Sequence, residues 1–351
     1  MYEVCNSAPN LKQPIAVSDG NYTYRAYGLT ITSHIELPEL TPSTGAPDLH
    51  IKIESVPHSP LAQQAPDGFI QAAAGQTLLL LGEYVGANLL VRNGNEILVE
   101  MTQPEKVEEI RLAILGFGLT ALLFQRGYLV LHGNAIQTVG GAIAVCGQQR
   151  AGKSTLTTAL YKRGFNIIAD DLAAVDLWSA VPVVMPGFPR LKLWKDTLEY
   201  FDEPIDSLQP IQPSVEKYNF PLNGSFHCRP EPLNALYILK KSDTDRPRIR
   251  HLTGIEKFWA ICSQIRSYKP EHLPHGDRWL LQSCSSLAEK IRVAYIERPI
   301  NGNSIDAVAN LVTQDLVPQD LDSQEMVTEE LAVVTNSSVK SSRQHVSYEL
   351  N

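Results

Sequence analysis

The stretch Cys146–Thr155, CGQQRAGKST, decides the fold because it contains the pattern GxxxxGK[ST] in full. In this pattern the glycines let successive backbone N–H groups face a phosphate chain, and the following helix adds its positive N-terminal end. The lysine reaches the β and γ phosphates, and the serine hydroxyl can ligate Mg²⁺. We therefore predict a nucleotide-binding loop formed by Gly147, Gln148, Gln149, Arg150, Ala151, Gly152, Lys153, Ser154 and Thr155.

The surroundings of the loop have the order that such a loop requires. The β-rich runs YLVLHGNAI and AIAVCG flank Gly140-Gly141, which predicts a β-hairpin leading into the loop. STLTTALYKRG then predicts a helix that stops at Gly164, and FNIIADD predicts a buried strand beside the loop's own strand. The strand, loop, helix, strand order favours a nucleotide site over a glycine-rich turn without a ligand.

Two adjacent carboxylates, Asp170 and Asp171, end the second of these strands. An acidic residue at this place typically faces the metal, and the simplest interpretation is that one aspartate holds the water shell of Mg²⁺. A neighbouring pair indicates more, since one carboxylate can act as a general base on an acceptor hydroxyl while the other orients a neighbour. We predict a metal site formed by Ser154, Asp170 and Asp171.

Together with the pair His132-Gly133, these motifs resemble the catalytic domain of HPr kinase/phosphorylase. In that family a His-Gly pair precedes the loop, the loop helix ends in a KRG-like segment, and the next strand ends in ADD. Here these elements are His132-Gly133, Lys162–Gly164 and Ala169–Asp171, and the resemblance is specific over about residues 128–176. It implies an α/β fold with a P-loop kinase domain of the HPr kinase/PEP carboxykinase-like type.

The resemblance also implies roles for the site residues. By position, Asp170 matches the catalytic acid/base, and Asp171 and His132 match the partners that tune and orient it. Lys153 and Ser154 match the phosphate and magnesium contacts. A hydrogen-bonded core histidine is the alternative for His132.

The chain departs from that family after the ADD strand, where MPGFPRLKLW (Met185–Trp194) replaces an acidic-arginine-glycine segment. In this it resembles a looser group of bacterial HPr-kinase-like proteins, over most of residues 22–300. The group shares an opening like YRAYGLTITSHIELPEL, the segment PGFPRLKLW and the triplet EKY (Glu216–Tyr218). Some members lie near peptide-modification genes and include kinases that phosphorylate lasso-peptide precursors on a serine.

PRLKLW supplies two candidate catalytic cations, Arg190 and Lys192, which share one face if the run is extended. Phosphoryl transfer needs positive charge on the transferring group, often from an arginine. We therefore predict that Arg190 and Lys192 provide it, with Lys217 behind them. A strand with solvated charges is the alternative, since most charged side chains are exposed.

Changes in composition along the chain predict its domains. Residues 1–20 form a polar, flexible leader, and residues 21–104 carry short alternating runs typical of a small antiparallel, mainly-β module, with a hairpin turn at RNGNE. Residues 105–315 form the catalytic domain, which opens with a helix ending at Gly127. Residues 316–351 lack a convincing core and are predicted to be a disordered tail.

The overall composition excludes several classes of protein. A net charge of −8 and a pI of about 5.6 argue against a nucleic-acid binder. The apolar run Leu112–Phe124 is too short to span a bilayer, and the N-terminus has no signal-peptide pattern, so we expect a cytoplasmic protein without a membrane partner. The cysteines include no CxxC pair, which disfavours a zinc site or a disulfide framework.

These expectations define a leading function and its alternatives. The leading hypothesis is an ATP- and Mg²⁺-dependent kinase that transfers the γ-phosphoryl group to a serine hydroxyl of a small protein or precursor peptide. A kinase of a small molecule such as free serine, or a slow nucleotide-binding switch, is the alternative. Loss of activity on deleting the β module would favour the peptide acceptor. A homo-oligomer is left open: HPr kinase/phosphorylase assembles into oligomers, but the departures from that family do not allow this property to be carried over.

Overall fold

The chain has the mixed α/β character that the sequence predicts, with several sheets and flanking helices. A computed structural model describes residues 21–57, 68–73, 75–212, 214–222, 224–266, 275–300 and 304–316. The predicted leader and nearly all of the predicted tail lie outside the described residues. No helix in the described part of the chain combines the length and the apolar character needed to cross a bilayer.

The N-terminal part forms an eight-stranded sheet in the order β3-β1-β2-β4-β8-β7-β6-β5. Its elements are β1 (Tyr22–Ala26), β2 (Leu29–Ser33), β3 (Thr41–Pro42), β4 (Leu49–Ile53), β5 (Phe69–Ala73), β6 (Gln76–Leu81), α1 (Gly82–Val85), β7 (Ala87–Arg92) and β8 (Glu96–Met101). The prediction of a fully antiparallel module is wrong, because β2 pairs with β4, and β4 with β8, in parallel. These strands are joined by crossing connections rather than hairpins, which makes the parallel direction available.

The hairpin predicted at RNGNE is confirmed between β7 and β8. Asn93 and Gly94 have φ values of 55° and 63°, a left-handed conformation that asparagine and glycine tolerate best. The strands pair from Arg92 opposite Glu96 onward.

A long helical segment follows the sheet and packs against it, as the apolar spacing predicts. It consists of α2 (Val107–Ala113), one π-helical turn (Ile114–Gly118) and α3 (Leu119–Gln125), and it stops before Gly127, where φ is 79°. The helices and the sheet share one hydrophobic core, which also includes Leu172 and Phe188 from the second half of the chain. The domain boundary near residue 104 therefore stays a prediction, and the apolar core continues across it.

The second half of the chain builds a nine-stranded sheet and a small three-stranded sheet. The larger sheet contains β9 (Leu129–Leu131), β10 (Gly133–Thr138), β11 (Gly141–Gly147), β12 (Ile167–Ala169), β13 (Ala173–Asp176), β14 (Val183–Val184), β18 (Glu231–Ser242), β19 (Arg248–His251) and β20 (Arg292–Pro299). The smaller sheet contains β15 (Arg190–Trp194), β16 (Gln209–Pro210) and β17 (Lys217–Pro221). The helices are α4 (Lys153–Lys162), α5 (Lys195–Tyr200), α6 (Gly254–Cys262), α7 (Gly276–Lys290) and α8 (Ile305–Asp315).

The centre of the larger sheet is parallel and leads into the predicted loop. β18 pairs in parallel with β11 on one side and with β20 on the other. The predicted hairpin is confirmed as β10 and β11. The aspartate strand β12 pairs with β10, so the prediction that it lies directly beside the loop strand is wrong. The hairpin partner β10 occupies that position instead.

Two segments of chain change their pairing partners at the same place in this sheet. β9 pairs with β13 through Leu131 and Ala173, whereas β10 pairs with β12 through Ala135 and Ala169. His132 connects β9 to β10, and residues 170–172 connect β12 to β13. The break in the sheet therefore brings the predicted histidine and aspartates to one spot.

Gly133, the second residue of the His-Gly pair, is needed for close packing at this break. A Cβ at Gly133 would lie 2.4 Å from the Sγ of Cys146 and 2.5 Å from the carbonyl oxygen of Val145. We expect Gly133→Ala to lower the free energy of unfolding by about 1–3 kcal/mol through overpacking. Denaturant titration with Gly140→Ala as control checks this, because a Cβ at Gly140 meets only the Nδ2 of Asn234, at 3.8 Å. Equal losses in both variants would contradict the packing explanation.

Candidate active site

The loop between β11 and α4 has the conformation of a phosphate cradle. Gly147, Arg150 and Gly152 have φ values of 141°, 61° and 104°. A Cβ at Gly147 would approach the carbonyl oxygen of Leu239 to 2.7 Å, so only glycine fits there. The Nζ of Lys153 donates to the carbonyl oxygens of Gly147 at 2.8 Å and Gln148 at 3.2 Å. The lysine therefore lies over the loop, where a phosphate chain would contact it.

A cavity of about 750 Å³ connects this loop to the aspartate pair. The predicted site residues that line it are His132, Gln149, Arg150, Gly152, Lys153, Ser154, Thr155, Asp170 and Asp171. A second cavity of about 350 Å³ is also lined by the loop, including Gly147, Gln148 and Ala151. The structure thus brings the predicted loop and the predicted carboxylates to one cavity, although β12 and β11 are not neighbours.

Asp171 is held by positive and polar groups on several sides. Its Oδ2 accepts from the Nζ of Lys192 at 3.1 Å, and its Oδ1 accepts from the Nη1 of Arg266 at 2.9 Å. The Nε2 of His132 lies 3.4 Å from the same Oδ1. Burial opposes ionisation, but the charges of Lys192 and Arg266 outweigh it and hold the pKa of Asp171 well below its usual value. Asp171 is a fixed anion.

The pKa of Asp170 is shifted in the opposite direction from that of Asp171. Its side chain is buried, and its Oδ2 accepts the backbone N–H of Lys192 at 2.8 Å. Burial, and then the neighbouring charge of Asp171, raise the pKa of Asp170. Two adjacent carboxyl groups whose pKa values move apart are a recurring sign of an acid/base pair, with the raised group moving the proton.

His132 is a neutral member of this cluster. Its Nδ1 lies 3.2 Å from the Nη1 of Arg266, and because a guanidinium only donates, this nitrogen accepts. The proton is therefore on Nε2, which faces Asp171. Burial, and then the charge of Arg266, lower the pKa of His132 to about 4. The two predicted roles were a partner of the aspartates and a core histidine. The geometry fits the first, because His132 faces Asp171 and lines the cavity.

The two predicted cations of PRLKLW lie behind the cavity and do not line it. Arg190 and Lys192 are both buried on one face of β15, so the alternative of solvated charges is wrong. Lys192 binds both aspartates, as described above. Arg190 instead donates to the Oδ1 of Asn219 at 2.6 Å and lies 3.7 Å from the Oε1 of Glu39. The structure therefore does not bring Arg190 to the transferring group.

Sequence reasoning missed several cavity residues, above all Arg266. This arginine follows α6, and its backbone N–H donates to the carbonyl of Val130 at 2.9 Å, which fixes it beside β9. No motif surrounds it in SQIRSY, so no local signal could have identified it. Arg298 is a further example, because its Nε donates to the carbonyl oxygen of Ala151 in the loop at 2.9 Å.

Lys217, predicted to lie behind the other cations, is in fact at the cavity wall. Its Nζ lies 5.5 Å from the ring centre of Trp194, and the guanidinium carbon of Arg150 lies 5.9 Å from the same ring. Phe117, on the π-helical turn, also reaches the cavity and is 37% exposed. The cavity is therefore lined by aromatic and cationic side chains as well as by the loop and the aspartates.

The donor set fits Mg²⁺ bound together with phosphates. Ser154 and Asp170 line the same cavity and offer a hydroxyl and a carboxylate oxygen. Asp171 already accepts from two cations and fits as their counter-ion rather than as a metal ligand. Within the described ranges no group of His, Cys, Asp and Glu forms an all-protein cage. Mg²⁺ commonly binds through one or two protein ligands plus phosphates and water.

Comparisons with known proteins add little to this geometry. No family model matches the chain, and no curated protein matches it. Among solved structures, the HPr(Ser) kinase/phosphatase from Coxiella burnetii is similar at 13% identity, over 62% of this chain and 99% of that chain, with a TM-score of 0.29. A likeness at that score carries no argument about this chain.

The counter-ion role of Asp171 predicts a large effect of neutralising it. Asp171→Asn leaves Lys192 and Arg266 without their shared anion, and 21% of the Asp171 side chain is exposed. We expect the free energy of unfolding to fall by about 3 kcal/mol, the lower end for removing one partner of a buried pair. Denaturant titration measures it, with the exposed Asp206→Asn as control. A loss no larger than that of the control would contradict this role.

The low pKa of His132 predicts a pH dependence of stability. A histidine whose pKa is lowered by folding stays neutral in the folded state while the unfolded chain takes up a proton. Its contribution is therefore present above about pH 6.5 and is lost as the pH falls toward about 4. We expect the unfolding free energy to decline between pH 7 and pH 4.5, with a shallower decline in His132→Gln. Equal slopes in both proteins would exclude His132 as the cause.

Proposed function

We propose that the chain is a phosphotransferase of the HPr kinase/PEP carboxykinase-like type, which transfers the γ-phosphoryl group of ATP to a serine hydroxyl. The supporting observation is the Asp170–Asp171 pair, with pKa values shifted in opposite directions. It faces the same cavity as Lys153 and Ser154. Transfer to a hydroxyl calls for a carboxyl group that can take its proton, and Asp170 lines the cavity for that role, whereas Asp171 is already held by Lys192 and Arg266.

The loop and its helix would hold the phosphates. The turns at Gly147 and Gly152 let backbone N–H groups face the β and γ phosphates, with the N-terminus of α4 behind them. Lys153 would exchange its contacts with loop carbonyls for contacts with phosphate oxygens. Ser154 would ligate Mg²⁺ together with phosphate oxygens and water, and the metal when bound supplies positive charge to the phosphate oxygens, while the Asp170 carboxyl is left free for the acceptor hydroxyl.

Asp170 would take the proton of the acceptor hydroxyl. Its Oδ2 is engaged by the N–H of Lys192, which fixes the orientation of the carboxyl group in the cavity. The raised pKa makes Asp170 a stronger base than an ordinary carboxylate. Asp171 stays ionised and keeps Arg266, Lys192 and His132 in place, so that the pair has one proton carrier and one structural anion.

The positive charge for the transferring group would come from residues at the cavity wall. Arg266 and Lys217 line the cavity, whereas the predicted pair Arg190 and Lys192 lies behind it. Arg266 is fixed by Asp171, so it is oriented before any substrate binds. We assign stabilisation of the transferring phosphoryl group to Arg266 and Lys217 accordingly.

The acceptor is proposed as a serine of a small protein or peptide, on the basis of the PRLKLW and ELPEL segments described from the sequence. The aromatic side chains of Phe117 and Trp194 at the cavity support a partner larger than a free amino acid, because they offer apolar contact area beyond the reacting groups. Free serine, the small-molecule alternative, is tested as an acceptor in the same experiment.

Purified protein, Mg²⁺ and γ-labelled ATP test this function, with HPr, serine-containing peptides encoded beside the gene, and free serine as acceptors. We expect Lys153→Ala to weaken ATP binding and abolish labelling. Asp170→Asn should bind ATP normally and lose transfer by about 10²-fold or more. Lys162→Ala is the matched control, because Lys162 lies on the same helix and pairs with Glu203 at the surface.

The outcomes separate the candidate functions. Label on a protein or peptide serine that is lost in Asp170→Asn supports the proposal, and label on free serine assigns the enzyme to small-molecule metabolism. Tight ATP binding without transfer to any acceptor would overturn the proposal in favour of a nucleotide-dependent switch. Undiminished transfer by Asp170→Asn would overturn the assignment of the base.

A further inference from the structure

The N-terminal sheet contacts the chain at Leu172, directly after the aspartate pair, and we infer that it positions that pair through the hydroxyl of Tyr27. Tyr27 is thus a positioning residue: it holds the backbone that carries Asp170 and Asp171 and does not itself take part in the reaction. The catalytic consequence rests on the proposed function, whereas the positioning itself does not.

Tyr27 lies at the turn between β1 and β2 and is 1% exposed. Its backbone N–H donates to the carbonyl of Pro186 at 2.7 Å, and its hydroxyl donates to the carbonyl of Leu172 at 3.3 Å. Its ring packs edge-on against Phe188, with centres 6.3 Å apart. One residue of the sheet therefore contacts both the segment before β15 and the chain just after the aspartates.

The contact of Tyr27 with Leu172 lies beside an unusual backbone conformation at Asp171. Asp171 has a φ of 68°, which is uncommon for a residue other than glycine and persists when surrounding contacts fix it. The N–H of Asp171 donates to the Oδ1 of Asn134 at 3.1 Å, and the N–H of Leu172 donates to the carbonyl of Asp170 at 2.8 Å. The Tyr27 hydroxyl donates to the carbonyl of Leu172, the residue after Asp171. Hydrogen bonds therefore fix the turn both at Asp171 and after it.

A second contact joins the same sheet to the same pair by a different route. The Oε1 of Glu39, in the ELPEL segment after β2, lies 3.7 Å from the Nη1 of Arg190 and 3.2 Å from the Nε of Arg111. Arg190 begins β15, and two residues later the N–H of Lys192 donates to Asp170. Glu39 is therefore a counter-ion of the buried Arg190. This contact gives Arg190 a structural role in place of the catalytic role predicted from the sequence.

The chain offers a matched control for Tyr27. Thr77, on β6 of the N-terminal sheet, is also buried, and its Oγ1 accepts from the Nε2 of Gln125 at 3.2 Å. That contact joins β6 to α3 and involves neither the ELPEL segment nor the aspartate turn. Tyr27→Phe and Thr77→Val therefore each remove one buried hydroxyl and one hydrogen bond, but only Tyr27→Phe removes a contact to the aspartate turn.

The test that needs no activity is amide hydrogen exchange on the full-length protein, followed by mass spectrometry of peptides covering residues 167–173. We expect Tyr27→Phe to accelerate exchange there by about 10-fold or more, because local opening becomes easier. Thr77→Val should leave these peptides at the wild-type rate although its melting temperature also falls. Equal exchange at residues 167–173 in the two variants would overturn the inference.

Kinetics then test the catalytic consequence. We expect Tyr27→Phe to lower kcat by about 10- to 100-fold with little change in the KM for ATP, as for a displaced catalytic group. Thr77→Val should keep the wild-type kcat. If the wild-type protein transfers no phosphoryl group, the proposed function fails, and the exchange comparison alone still decides whether Tyr27 positions the aspartates.

Discussion

The carboxylate of Asp171 is the interaction on which the rest of the site depends. It joins groups that come from separate parts of the chain: His132 at the break between β9 and β10, Lys192 on β15, and Arg266 after α6. Removing charges from water is costly, and buried cations are tolerated when a counter-ion and hydrogen bonds compensate them. Asp171 supplies that compensation, and the surrounding segments converge on it.

The same interaction accounts for the difference between the two neighbouring aspartates. Lys192 gives its ammonium group to Asp171 and only its backbone N–H to Asp170. Asp170 is therefore buried beside an anion without a cation of its own in direct contact among the described residues, and its pKa rises. One ion pair thus fixes the structure and leaves next to it a buried carboxyl group with a raised pKa.

Local features of the site could be predicted from the sequence, and long-range partners could not. The glycines of the loop, the stop of α4 near Gly164 and the hairpin at Asn93-Gly94 follow from backbone conformations that particular residues favour. Arg266 and the Glu39–Arg190 contact depend on segments far apart in the chain, and an isolated charged residue carries no pattern that names its partner. The order of the strands could not be predicted for the same reason, since the apolar run FNIIADD identifies β12 but not its neighbour β10.

The contacts of the N-terminal sheet change how its deletion should be interpreted. Loss of activity after deletion was expected to favour a peptide acceptor held by this sheet. The structure shows that deletion would also remove Tyr27 from the aspartate turn and Glu39 from the buried Arg190, and would expose the apolar face of the helices α2 and α3. An inactive deletion variant would therefore report a disturbed site whatever the acceptor. Substitutions of exposed residues on the sheet, with Tyr27 and Glu39 retained, separate acceptor binding from positioning.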